Sequence, residues 1–72
     1  MFNYSKLLGL MREQKYTQES LAKEIGISSL SLWKKLHNRS EFTSKEMLTI
    51  IKVLGIVDPM PYFFDTNIAI SQ

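Results

Sequence analysis

Between Ser28 and Arg39 the chain gathers side chains suited to binding. They are the hydroxyls of Ser28, Ser29 and Ser31, the cations Lys34, Lys35 and Arg39, and the imidazole of His37. Hydroxyls donate and accept hydrogen bonds, and ammonium and guanidinium groups hold oxyanions. This is not a catalytic set. His37 is the only histidine, there is no cysteine, and no cluster of carboxylates surrounds His37 at metal-ligand spacing. The serines have no paired base to activate them, and no glycine-rich phosphate loop is present. With only 72 residues there is little room for a concave pocket. No enzyme activity, cofactor, metal or small-molecule substrate is therefore expected.

Charge distribution points to a polyanion. The formal net charge is only +2, but residues 1–40 hold seven of the nine cations and three of the seven carboxylates. A basic half that contains the hydroxyl and lysine cluster is what phosphate contact requires. No apolar run is long enough to cross a membrane, and the opening MFNYSKLLGLMREQ carries charges and no small-residue cleavage site. A cytoplasmic protein is the expectation.

The elements that position these residues follow from periodicity. Thr17–Leu36 reads as two short amphipathic helices hinged at Gly26, with Leu21, Ala22, Ile25, Ile27, Leu32 and Leu36 on their apolar faces. Ala22 keeps the first helix thin where the second approaches. Gly26 takes the left-handed turn conformation at little cost, and Ser28 offers an N-cap. Leu32 and Leu36, four apart, turn one face inward and leave Ser29, Leu30, Trp33, Lys34 and His37 outward. This is the plan of a helix-turn-helix.

The rest of the chain supplies a scaffold. A first helix over Tyr4–Gln14 is expected to bury Tyr4, Leu7, Leu8 and Met11, with Asn3 as cap and Phe2 stapled to Leu7. The second helix spans Gln18–Ile25 behind Thr17, and the third spans Ser29–His37. Phe42 folds back from a loop over 38–42. Thr43 and Glu46 form a capping box for a fourth helix that buries Met47, Ile50, Ile51 and Leu54 and stops at Gly55. Asp58-Pro59 starts a fifth, placing Pro59 at the first helical position, with Tyr62, Phe63 and Phe64 closing the core. The fold class is thus all-α, a five-helix domain over 1–64 with a tail over 65–72. The alternation of Ile68 and Ile70 with polar neighbours reads either as an extended segment or as a frayed terminus.

LAKEIGIS, KKLHNRSEFTSKEMLTIIKVLGI and the LA…G…S core with KVLG downstream resemble the Cro/C1-type helix-turn-helix family of phage regulators over about residues 4–64. The resemblance implies a lambda-repressor-like fold and sequence-specific binding of double-stranded operator DNA, usually as a homodimer on two half-sites. In that reading helix 3 enters the major groove. Ser28, Ser29 and Ser31 face bases, and Lys15, Gln18, Lys34, Lys35, His37 and Arg39 contact DNA around them.

The chain departs from that family on the reading face. Members commonly open helix 3 with Arg, Gln, Lys or Asn, whereas this one opens Ser28-Ser29-Leu30-Ser31. Serine discriminates bases weakly, and Leu30 can touch only a thymine methyl. Leu30 and Trp33, spaced i, i+3, form an apolar ridge of the kind that marks protein contacts. Two readings stay open. One is a Cro-like DNA-binding transcriptional regulator of low selectivity. The other is an antirepressor, or modulator of repression, that covers a phage repressor's DNA-binding face with Glu19, Leu30 and Trp33. An alternative placement of Trp33, partly buried against helix 2 or the loop, also stands.

Overall fold

The computed structural model describes residues 3–64. Five helices follow one another: α1 (Ser5–Glu13), α2 (Gln18–Ile25), α3 (Ser29–Leu36), α4 (Ser44–Leu54) and α5 (Met60–Phe63). Among the described residues there is no strand, and no helix is long and apolar enough to cross a membrane. The expected all-helical class and helix count hold. The tail 65–72 and the staple to Phe2 lie outside the described residues.

Each helix start is secured locally. Thr17 accepts from the Ser20 backbone N–H while the Ser20 hydroxyl oxygen accepts from the Thr17 N–H, a reciprocal cap for α2. Thr43 and Glu46 do the same for α4, at 3.1 and 2.9 Å. Gly26 and Gly55 end α2 and α4 with φ of +85° and +66°, a left-handed conformation that strains residues bearing a Cβ.

α2 packs on α3 and on α4, and α5 packs on α1. Leu7, Leu21, Leu32 and Ile50 are completely enclosed, one from each of the four longer helices. Met11, Ala22, Leu36, Phe42, Leu54, Ile56 and Phe63 complete the core. Phe42 contributes as expected, lying edge-on to Tyr4 at 5.4 Å and to Phe63 at 5.7 Å between ring centroids.

Several expectations need correction. Tyr4, Leu8, Ile25, Met47 and Ile51 flank the core without being fully enclosed. Phe64 is 45% exposed and does not close the core. α5 is a single turn, so of three consecutive aromatics only Phe63 is turned fully inward. Pro59 occupies the N-cap of α5 rather than its first turn, and the Asp58 carboxylate accepts from the Met60 N–H. Asn3 accepts from the Ser5 N–H, but the cap position itself falls on Tyr4 because α1 starts one residue later than expected. At the other end of α3, His37 is the C-cap rather than the last helical residue.

Candidate nucleic-acid interface

The surface around α3 is built on Leu32 and Leu36, whose burial fixes the helix rotation. Ala22 is buried on α2, where the two helices pack together. Between them the chain turns at Gly26, and the Ile27 N–H donates to the Ala22 carbonyl at 3.0 Å. Ser28 then caps α3, its hydroxyl oxygen accepting from the Ser31 N–H at 3.0 Å.

That cap changes what the serines can offer. The Ser28 hydroxyl donates to the Ser31 hydroxyl oxygen at 2.9 Å, so its single proton is occupied. Ser29 is half-buried, not outward as the helical pattern suggests. The Gln18 side-chain amide donates to its carbonyl at 3.2 Å and lies 3.4 Å from its hydroxyl. Gln18 thereby ties the start of α2 to the start of α3. Of the three serines expected to face bases, only Ser28 spends its hydroxyl proton in these contacts; the Ser29 and Ser31 hydroxyl oxygens accept, from Gln18 and Ser28.

The outward face is formed by Leu30, Trp33, Lys34 and His37, all exposed. Trp33 is nonetheless only 36% exposed, and part of its cover comes from the loop after α3, as the alternative placement expected. It stacks on His37, with ring centroids 4.2 Å apart and planes 22° apart, and the Arg39 guanidinium lies 5.7 Å from the indole centroid. His37 Nδ1 lies 2.9 Å from the Trp33 carbonyl. A carbonyl only accepts, so this nitrogen carries the proton. The indole is thus braced by two groups from the end of α3 and the turn beyond, while its side chain stays 36% exposed.

The cations divide into two groups. Lys34 and Arg39 are exposed, as is Lys15 in the α1–α2 connection with φ +63°. Glu19, in the first turn of α2, is exposed too. Lys35 is different: its ammonium lies 3.1 Å from the Glu46 carboxylate and donates to the Glu41 carbonyl at 3.0 Å. Both side chains of this pair are mostly enclosed, at 13% and 15% exposure. Lys35 therefore joins α3 to its following loop and to α4, and its ammonium is engaged within the molecule. Nothing in the local spacing of the sequence marks this pairing, since it depends on how α4 packs.

Burial works to raise the Glu46 carboxyl, but the Thr43 backbone N–H and the Lys35 ammonium outweigh it, and the group sits below its ordinary value of 4.5. A depressed acid in the folded state stabilises the fold above that ordinary value, and the contribution is lost as pH falls through the lower folded one. Acidifying from pH 5 to pH 3 is therefore expected to lower the denaturant midpoint of the parent more than that of Glu46→Gln. Equal losses in both would show that the Lys35–Glu46 pair does not contribute.

Among the described residues no group of three His, Asp or Glu is placed to hold a metal ion. A protein-family model with the description "Protein of unknown function (DUF739)" matches residues 1–66. No curated protein and no solved structure matches the chain.

Proposed function

Since the chain belongs to the DUF739 family, whose description assigns no activity, we propose its function from the α3 surface: a cytoplasmic, non-enzymatic transcriptional regulator that binds double-stranded DNA with α3 in the major groove. The observation that carries this reading is the strict division of α3. Leu32 and Leu36 anchor it in the core, and an outward face with Lys34 beside Leu30 and Trp33 is left for a partner. α3 carries no carboxylate, and its Lys34 is exposed and free of the Glu46 pair that holds Lys35. Arg39 and Lys15 add exposed positive charge, and Gln18 orients α2 against the start of α3. The resemblance to Cro/C1-type regulators supports the same reading and adds a homodimer on two half-sites as the binding form.

The internal engagement of Ser28, Ser29 and Lys35 sets the character of the binding. Phosphate contacts supply most of the affinity, and few polar groups are left to read base edges. Selectivity for a preferred site over random DNA is expected to be on the order of 10-fold to 100-fold, below the ~10³ or more usual for specific binders.

The exposed pair Leu30 and Trp33 favours a second reading, in which the same face docks on the DNA-binding domain of a repressor, flanked by Glu19. Titrating labelled duplex DNA with the protein, alone and with the N-terminal domain of a phage repressor, tests both. Binding to DNA by the protein alone, weakening as salt rises, supports the regulator. No DNA binding at ~10⁻⁴ M protein in low salt, together with a stable complex with the repressor domain, would replace it with the antirepressor.

A further inference from the structure

We infer that Leu30 determines sequence preference by covering the C5-methyl group of thymine, so that this chain reads DNA through an apolar contact in place of paired hydrogen bonds. The inference rests on the proposed binding of DNA through α3 and specifies what that helix recognises there.

The argument begins with the chemistry that is absent. α3, SLSLWKKL, contains no Arg, Asn, Gln, Asp or Glu, and its two lysines lie in the last turn. Bidentate recognition of guanine by Arg or Lys, or of adenine by Asn or Gln, needs such groups near the helix start, where base edges are reached. The hydroxyls that remain discriminate bases weakly, and they are drawn into contacts of their own: Ser28 caps the helix and donates to Ser31, and Ser29 accepts from Gln18.

What stands at that position instead is Leu30, second in the helix and 62% exposed. Four types of base present one apolar group in the major groove, the thymine methyl, and an aliphatic side chain is rewarded by that group alone. Trp33, one turn on and braced by His37 and Arg39, extends the apolar surface in the direction of Lys34. The exposed cations Lys34 and Arg39, with no carboxylate on the helix, make a polyanion the occupant that suits this face. The preferred sites therefore carry thymine at the steps beneath Leu30.

The test compares an alternating A·T duplex of 20 base pairs with the same duplex built from deoxyuridine, which differs only by the missing methyl. Covering one methyl is worth ~0.8 kcal/mol, or about fourfold in affinity for each methyl contacted. Parent protein is expected to bind the uracil duplex at least fourfold more weakly, and Leu30→Ala is expected to bind the two alike. Leu30 is exposed, so this variant keeps its fold, which circular dichroism checks. A matched G·C duplex with 5-methylcytosine should bind the parent more tightly than its unmethylated form. Equal binding of the thymine and uracil duplexes by the parent would overturn the methyl contact while leaving DNA binding through α3 in place. A methyl preference that survives in Leu30→Ala would assign it to another residue. Failure to bind any of the four duplexes would remove the proposed function itself.

Discussion

Replacing Leu32 with alanine is expected to leave the chain largely unfolded at room temperature. Leu32 is completely enclosed and belongs to the helix that α2 packs against. Truncating a buried leucine costs ~2–5 kcal/mol, because transfer free energy is lost and the cavity closes only in part. A hydrophobic core in a chain of this size rarely supplies more than ~3–5 kcal/mol of net stability. The two figures nearly cancel. Thermal melting followed by circular dichroism would show a lost or much lowered transition for Leu32→Ala. Leu30→Ala, two positions away but on the exposed face, should melt within a few degrees of the parent. If Leu32→Ala melted like the parent and Leu30→Ala did not, the rotation of α3 described above would be wrong.

The second large effect concerns salt. Each phosphate neutralised by a cation contributes about −0.9 to the slope of log affinity against log salt. Removing both Lys34 and Arg39 should therefore flatten that slope by ~1.8 for each subunit. At low salt the affinity should fall on the order of 10-fold to 100-fold, as two charge-assisted contacts of ~1 kcal/mol or more are lost. Lys35→Ala is the informative companion. Its ammonium is engaged by Glu46 and Glu41, so that change should lower the melting temperature and leave the salt slope close to that of the parent. Anisotropy titrations between 50 and 200 mM salt measure all three. A slope that responds to Lys35 and ignores Lys34 and Arg39 would place the DNA elsewhere on the molecule.

Those contrasting lysines show where the sequence could be read and where it could not. The caps at Thr17, Ser28 and Thr43 and the left-handed stops at Gly26 and Gly55 were legible because each acts between residues three or four positions apart. The apolar ridge of Leu30 and Trp33 was legible for the same reason, since Leu32 and Leu36 set the phase of the helix. Contacts between distant segments were not. The Gln14 side-chain amide donates to the Leu54 carbonyl at 2.6 Å across 40 residues, clasping the ends of α1 and α4, and no local pattern announces it. Lys35 and Lys34 are adjacent and identical in type, yet only the placement of α4 decides which is enclosed. Similarly, Ser29 looks outward by helical phase and is drawn to Gln18 by the packing of α2. Phe64 fails for a simpler reason: three aromatics in a row give no phase, and a one-turn helix has room for one on its inner side.

The inward and outward division of α3 also bears on how such chains diversify. Leu32 and Leu36 carry the stability, whereas positions 30, 33 and 34 lie outside the core. Substitutions at Leu30 and Lys34 in particular should cost the fold little, so that if α3 is the binding helix a lineage can change its target by single steps without passing through chains that fail to fold. The same property makes the domain a frame for grafting. Exchanging those side chains alone should transfer a binding preference between relatives, with Gly26, Ala22 and the Lys35–Glu46 clasp retained as the fixed mount.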